Sequence, residues 1–300
     1  MYLQHFQLTE PPFTLTPDTE FFFSHGCHQE ALNVLLVALQ NGEGFIKLTG
    51  EVGTGKTLLC RQLLKLLDEN SVTAYIPNPF LNPTALRMAL ADELGVRFAR
   101  NIGQHRLLAL ITEKLLEIHA QGRRVVLLLD EAQAIPDESL EALRLLTNLE
   151  TEKRKLLQVV LVGQPELDVR LAQKRFRQLQ QRIAFSYRLR PLDRTTLADY
   201  VEHRLQVAGY RGTRLYTGRT IARLHRASRG IPRLVNLLCH KSLMAAYGCG
   251  SQRVSGCHLG RAIRDTREST RMQRGWLAFA SGLAGIIALT SASLLYAYGL

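Results

Sequence analysis

The sequence predicts an α/β fold, a mostly parallel sheet with helices on both faces, followed by an all-helical lid subdomain and one C-terminal transmembrane helix. Three observations carry this expectation. First, short β-like runs at Phe45–Thr49, Val72–Ile76, Val125–Leu129, Leu156–Val162 and Ala184–Leu189 alternate with helix-period segments at His28–Leu39, Leu58–Leu67, Pro83–Leu94, Gln104–His119 and Glu138–Leu149. Strand, helix, strand in that rhythm implies crossover connections, and therefore strands that lie parallel. Second, the strand signals stop after Pro191, and helical patterns follow one another at Thr195–Val207, Gly218–Ala227, Pro232–Ala246 and Ser255–Glu268. Third, the 23 residues from Trp276 to Tyr298 carry no charge.

A helix of that length is about 34 Å long, against a hydrocarbon core of about 30 Å, so the run can span a bilayer. Trp276 at one end and Tyr296 and Tyr298 at the other stand where interfacial aromatics belong. Before the run, Arg261, Arg264, Arg267, Arg271 and Arg274 recur at steps of three and four and, if helical, form one stripe suited to anionic lipid. That positive flank places everything before residue 275 in the cytoplasm. The N-terminal MYLQHFQLTEPPF lacks the basic head and apolar stretch of a secretory signal. The expected organisation is an α/β domain over 1–190, a helical lid over 191–268, a basic juxtamembrane linker over 269–275 and a transmembrane helix over 276–298.

With 300 residues and 46% hydrophobic content the chain can bury a sizeable core, which excludes a disordered or fibrous protein. The five cysteines are odd in number and scattered, with no C-x-x-C, an arrangement that fits neither a disulfide scaffold nor a zinc ribbon. The formal charge of +12 is uneven: residues 1–190 hold 22 basic and 21 acidic side chains, residues 191–300 hold 16 and 5. The basic rear half points to an anionic partner.

The chemistry lies in the front half. Gly50-Glu51-Val52-Gly53-Thr54-Gly55-Lys56-Thr57 fits G-x-x-x-x-G-K-[ST], directly after a predicted strand and opening the helix that begins at Leu58. Glycines let this loop curl so that successive N–H groups, from Gly50 through Leu58, point at phosphate oxygens, aided by the helix dipole. Lys56 is placed to reach the β- and γ-phosphates of ATP, and Thr57 to hold Mg²⁺. The apolar strand Val125–Leu129 ends in Asp130 and Glu131, at the sheet edge where ligands bind. Asp130 is expected to contact the magnesium through water, and Glu131 to act as general base. Gln164, at the end of the next strand, is placed to orient the same water. Arg182 precedes the last strand, from where a guanidinium can project into a neighbouring subunit's γ-phosphate, with Arg175 and Arg177 competing for that role. In Gly230-Ile231-Pro232-Arg233, Pro232 suits the first turn of a helix and Arg233 is a candidate γ-phosphate sensor.

Taken in chain order, these residues resemble the AAA+ class of P-loop NTPases, in which they stand as Walker A, Walker B, sensor 1, arginine finger and sensor 2. Pro12-Phe13, Phe21-Phe22-Phe23, His28-Gln29-Glu30-Ala31-Leu32, Asp130-Glu131-Ala132-Gln133 and Val162-Gly163-Gln164-Pro165-Glu166-Leu167 more narrowly resemble the general secretion pathway protein A (ExeA) family. The resemblance implies ATP hydrolysis with Mg²⁺, an ATP-dependent homo-oligomer, and inner-membrane pilus or secretion assembly proteins as partners. It implies a role in assembling a type IV (MSHA-like) pilus or a type II secretion machine at the bacterial inner membrane. It also implies that Phe22 and Phe23 lie near the adenine and that Asn78 couples partner binding to Glu131. The longer secretion proteins carry a peptidoglycan-binding domain after their span, so direct wall binding is not expected of this sequence. A DNA-associated ATPase of transposition-helper or origin-binding type is the alternative raised by the arginine-rich helical half. The absence of a recognisable helix-turn-helix and the presence of a span argue against nucleic acid as the partner.

Overall fold

A computed structural model describes residues 1–24, 26–99, 101–150 and 155–266. In chain order these form α1 (Tyr2–His5), α2 (Cys27–Gln40), β1 (Phe45–Gly50), α3 (Lys56–Leu66), β2 (Ser71–Ile76), α4 (Pro83–Glu93), α5 (Gln104–Ala120) and β3 (Arg124–Leu129). There follow α6 (Asp137–Leu146), β4 (Leu157–Gly163), α7 (Pro165–Leu171), α8 (Arg177–Gln180), β5 (Ile183–Leu189), α9 (Arg194–Val207), α10 (Gly218–Ser228), α11 (Pro232–Gly248) and α12 (Gly256–Asp265). Each predicted strand is present to within a residue at either end.

Among the described residues the strands make one five-stranded parallel sheet in the order β2-β3-β4-β1-β5. β3 shows why its sequence is an unbroken apolar run. Val125, Leu127 and Leu129 pack with Leu86 and Leu90 of α4, Leu107 and Ile111 of α5 and Leu140 and Leu143 of α6. The alternate residues Val126 and Leu128 pack on the other face with Leu32 and Leu35 of α2 and Leu59 and Leu63 of α3. A strand covered on both sides has no polar face to display, and each such side chain contributes about 1.5–3 kcal/mol by leaving water. β5 lies at the edge, and there Ala184, Ser186 and Arg188 are exposed in alternation with more covered neighbours.

The chain divides into two compact units. One is the α/β unit, Thr16–Leu192 together with Ile231–Arg233; the other is helical, Met1–Leu15, Asp193–Gly230 and the chain from Leu234 onward. The sequence predicts a single α/β domain over 1–190; in the structure Met1–Leu15 belong with the helical unit. The cause is a buried polar network. The Arg204 Nε–H donates to the Pro12 carbonyl at 2.5 Å and an η nitrogen donates to the Tyr200 hydroxyl at 3.2 Å. That hydroxyl donates to Asn236 Oδ1 at 2.8 Å, and the Asn236 amide donates to the Thr14 carbonyl at 3.1 Å. Arg204 is 4% exposed. Arg204→Ala should therefore cost about 3 kcal/mol by leaving buried acceptors unmatched, and release the first fifteen residues. Denaturant unfolding, with hydrogen exchange read at residues 9–15, checks both effects.

The helices of this unit start where side chains can satisfy their first N–H groups. The Asp193 carboxylate accepts from the Thr196 N–H at 2.8 Å, which holds its pKa down at about 2. Thr217 accepts from the Thr220 N–H, and Ser255 and His258 form a capping box. The helix expected over Ser255–Glu268 ends at Asp265, with Thr266 extended at φ −105° and ψ 104°; of the predicted arginine stripe, Arg261 and Arg264 lie on this helix, and Arg267, Arg271 and Arg274 lie outside the described residues. No helix among the described residues is long and apolar enough to cross a membrane; the predicted linker 269–275 and span 276–298 lie outside those residues.

Candidate active site

β1, β4 and β3 are neighbours, so the residues that leave their C-terminal ends, Gly50, Gln164 and Asp130, arrive at one edge of the sheet. The loop after β1 turns at Gly53 (φ 80°) and Gly55 (φ 97°), conformations that L side chains rarely adopt. Gly55 caps α3 with no side-chain bond, so the N–H groups of Lys56, Thr57 and Leu58 head the helix with no intrahelical acceptor. Such an end is suited to an anion. The Lys56 side chain turns back over the loop, and its ammonium donates to the Gly50 carbonyl at 2.8 Å and the Glu51 carbonyl at 3.0 Å. Burial pulls the Lys56 pKa down, opposed by the charges of Glu131 and Asp130.

Thr57 Oγ1 donates to Asp130 Oδ2 at 2.7 Å, which joins the head of α3 to the end of β3. Asp130 is 3% exposed, and its other oxygen accepts the Glu131 N–H at 2.9 Å. Glu131 itself stands in the left-handed region at φ 52°, a strained placement for a residue with a Cβ. That turn brings its carboxylate beneath two amides: Gln133 Nε2 donates to Glu131 Oε2 at 2.5 Å and Gln164 Nε2 donates to the same oxygen at 3.1 Å. Gln133 Oε1 in turn accepts the Gln164 backbone N–H at 2.9 Å. The two glutamines thus form a closed bracket around one carboxylate oxygen, a fixed acceptor a short way from the phosphate loop.

The residues fit magnesium nucleotide. Mg²⁺ is typically held by one or two protein oxygens together with phosphates and water, and Thr57 Oγ1 and Asp130 Oδ2 are such a pair. Among the described residues no group of three or more His, Cys, Asp or Glu is arranged as a metal cage.

Several neighbours escaped the sequence reading. In the sequence Gln133 stands out only as the last residue of Asp130-Glu131-Ala132-Gln133. His28, one residue into α2, is 8% exposed; its Nε2 lies 2.8 Å from the Thr54 carbonyl, and a Cβ on Gly55 would fall 3.1 Å from it. Burial lowers the His28 pKa, partly offset by that hydrogen bond, so the ring is neutral and donates through Nε2. Tyr75 on β2 donates its hydroxyl to Asp130 Oδ2 at 3.4 Å, and burial with the Asp130 charge raises its pKa to about 12. Asp168 on α7 accepts from Thr49 at 2.9 Å and pairs with Lys47 at 2.5 Å, clamping α7 to the strand that feeds the loop.

His28 adds a pH dependence with a definite sign. Its folded pKa lies below the ordinary value of 6.5, so the unfolded chain binds the proton more readily. The stability is present above pH ~6.5 and falls as the pH drops toward the depressed folded value. His28→Gln, which can still donate from its side-chain nitrogen, should flatten that part of the curve in denaturant unfolding between neutral and mildly acidic pH.

Not every predicted residue joins the site. Arg182 precedes β5, whose Ile183 pairs with Phe45, so it sits at the N-terminal edge of the sheet, roughly 16 Å along the strand direction from Gly50. Its guanidinium donates to the Arg144 carbonyl at 3.2 Å and to the Asn148 side chain. Arg175 pairs with Asp137 and lies over the Phe176 ring at 5.0 Å, while Arg177 is exposed. Arg233 does reach the loop: its backbone N–H donates to the Gly53 carbonyl at 3.1 Å, and a Cβ at Gly53 would lie 2.7 Å from the Arg233 Cβ. Phe22 is buried and meets the His28 ring edge-on at 6.4 Å. Asn78 accepts the Phe80 N–H at 3.3 Å.

Residues 39–171 match the family model described as AAA domain. Over 254 residues the chain is 47% identical to general secretion pathway protein A of Aeromonas hydrophila, which covers 85% of this chain and 46% of the relative, so the chain spans about half of that protein's length. Among solved structures it resembles Cdc6p from Pyrobaculum aerophilum, with TM-score 0.63 and 21% identity over 82% of this chain and 70% of that one. It also resembles the Aeropyrum pernix ORC1 protein solved in complex with DNA, with TM-score 0.61 and 18% identity over 85% and 69%. At such identities these two likenesses speak for the fold alone. The chain therefore carries an AAA domain of the P-loop nucleotide-hydrolase fold and is homologous to general secretion pathway protein A.

Proposed function

We propose that this chain is a membrane-anchored ATPase that hydrolyses ATP to drive or regulate assembly of a type IV (MSHA-like) pilus or type II secretion machine at the bacterial inner membrane. The single observation that carries the hydrolytic part is the Glu131 carboxylate, held by Gln133 and Gln164 beside the Thr57–Asp130 pair. Glu131 takes the proton of the attacking water as general base. Gln164 keeps that carboxylate aimed and contributes an amide toward the same water. Lys56 exchanges its two loop carbonyls for phosphate oxygens, a substitution its three ammonium protons permit. Thr57 and Asp130 would hold Mg²⁺, whose charge, when bound, neutralises the charge developing on the transferred phosphoryl group.

The homo-oligomer belongs to the same proposal. Arg182 lies at the far edge of the sheet from the phosphate loop of its own chain, so a second copy would supply the arginine in trans, with Arg182, Arg175 and Arg177 as the candidates. The assembly role and the inner-membrane address rest on homology to the Aeromonas hydrophila secretion protein and on the uncharged run 276–298. Steady-state phosphate release by the full chain, measured against protein concentration, tests the proposal: a specific rate that rises with concentration is expected. A measurable rate that stays flat would remove the arginine supplied in trans, and no release at any concentration would remove the hydrolase.

A further inference from the structure

The helical unit carries a feature that nucleotide hydrolysis does not use. α10 buries Ile221 and Leu224 and leaves Arg219, Arg223 and Arg226 exposed at steps of four and three, which is one helix face. α12 buries Leu259, Ala262 and Ile263 and leaves Arg261 and Arg264 exposed. The two helices pack together, and Arg223 joins their faces: its η nitrogen donates to the Gly256 carbonyl at 2.8 Å, and a Cβ on Gly260 would lie 2.9 Å from it. Against these five arginines the two helices hold one acid, Asp265, already paired with Lys241 at 2.8 Å. Five cations gathered with so little compensation repel one another, and an anionic surface relieves the repulsion.

We infer that the joined arginine face of α10 and α12 docks on anionic phospholipid headgroups. Lipid is favoured over other polyanions by continuity along the chain: the sequence beyond α12 adds Arg267, Arg271 and Arg274 and then the uncharged run 276–298, so this end of the helical unit is the part nearest the bilayer. The inference rests on the membrane-anchored reading. Its own content is that α10, which begins 38 residues before α12 in the sequence, shares the lipid contact and thereby fixes how the helical unit meets the membrane.

Cys257, exposed on α12 four residues before Arg261, reports on this face. The full chain is reconstituted in phosphatidylcholine liposomes with or without phosphatidylglycerol, and N-ethylmaleimide alkylation of Cys257 is followed by mass spectrometry, with Cys27 of the α/β unit as reference. Alkylation of Cys257 should slow markedly with phosphatidylglycerol and recover in high salt. R219Q/R226Q, which keeps the structural Arg223, should weaken the lipid contact about 25-fold, fivefold per arginine, and restore fast alkylation on the anionic liposomes. Equal alkylation on both lipids, in a chain that alkaline carbonate does not extract from phosphatidylcholine, overturns the lipid face while leaving the span intact. Protection on anionic liposomes in a chain that carbonate does extract upholds the face and removes the span. Duplex DNA that protects Cys257 on neutral liposomes as strongly as phosphatidylglycerol does would overturn the assignment to lipid.

Discussion

Lys56→Ala should reduce affinity for magnesium ATP by about a hundredfold or more, and phosphate release with it. Losing a charge-assisted hydrogen bond costs roughly 1.5–3 kcal/mol, and Lys56 is the side chain that offers such bonds from inside the loop. A second loss adds to the first. The Lys56 ammonium also holds the loop in its curled form through the Gly50 and Glu51 carbonyls, so alanine removes that preorganisation as well. Titration of a slowly hydrolysed ATP analogue followed by calorimetry checks the effect. Unchanged affinity in Lys56→Ala would mean that phosphate is held elsewhere.

Glu131→Gln should separate binding from chemistry. The change is nearly isosteric, and a glutamine oxygen can still accept the amides of Gln133 and Gln164, so the bracket around position 131 survives. What disappears is the capacity to take a proton, and loss of a general base costs about 10²–10⁴ in rate. Affinity for ATP should stay within a few-fold of the parent while turnover falls by that factor. A variant with full turnover would show that Glu131 is not the base, and one that loses binding would show that its role is to shape the loop.

How far the sequence foretold this arrangement depends on the range of the forces involved. β3 was legible because a strand covered on both faces must be apolar throughout, and the phosphate loop because only glycine tolerates the turns at positions 53 and 55. The partnership of Gln133 with Glu131 was not, because it depends on a left-handed turn at Glu131 that folds a residue two positions on back over its side chain. His28 looked like an ordinary helix start, and its bond to Thr54 joins segments that only the tertiary fold brings together. The affinity of residues 1–15 for the helical unit depends on Arg204, almost two hundred positions away, and no local pattern announces it. That Arg182 precedes β5 is legible in the sequence, but only the register of β5 with β1 shows which edge of the sheet that is.

The decisive measurement is a structure of the full chain with Mg²⁺ and a slowly hydrolysed ATP analogue. The Lys56 ammonium should have left the Gly50 and Glu51 carbonyls for phosphate oxygens, with a water between the terminal phosphate and Glu131 and the amides of Gln133 and Gln164 still on that carboxylate. An analogue bound while Lys56 keeps its loop carbonyls, or a Glu131 carboxylate turned away from the terminal phosphate, would contradict the hydrolytic role assigned to this edge of the sheet.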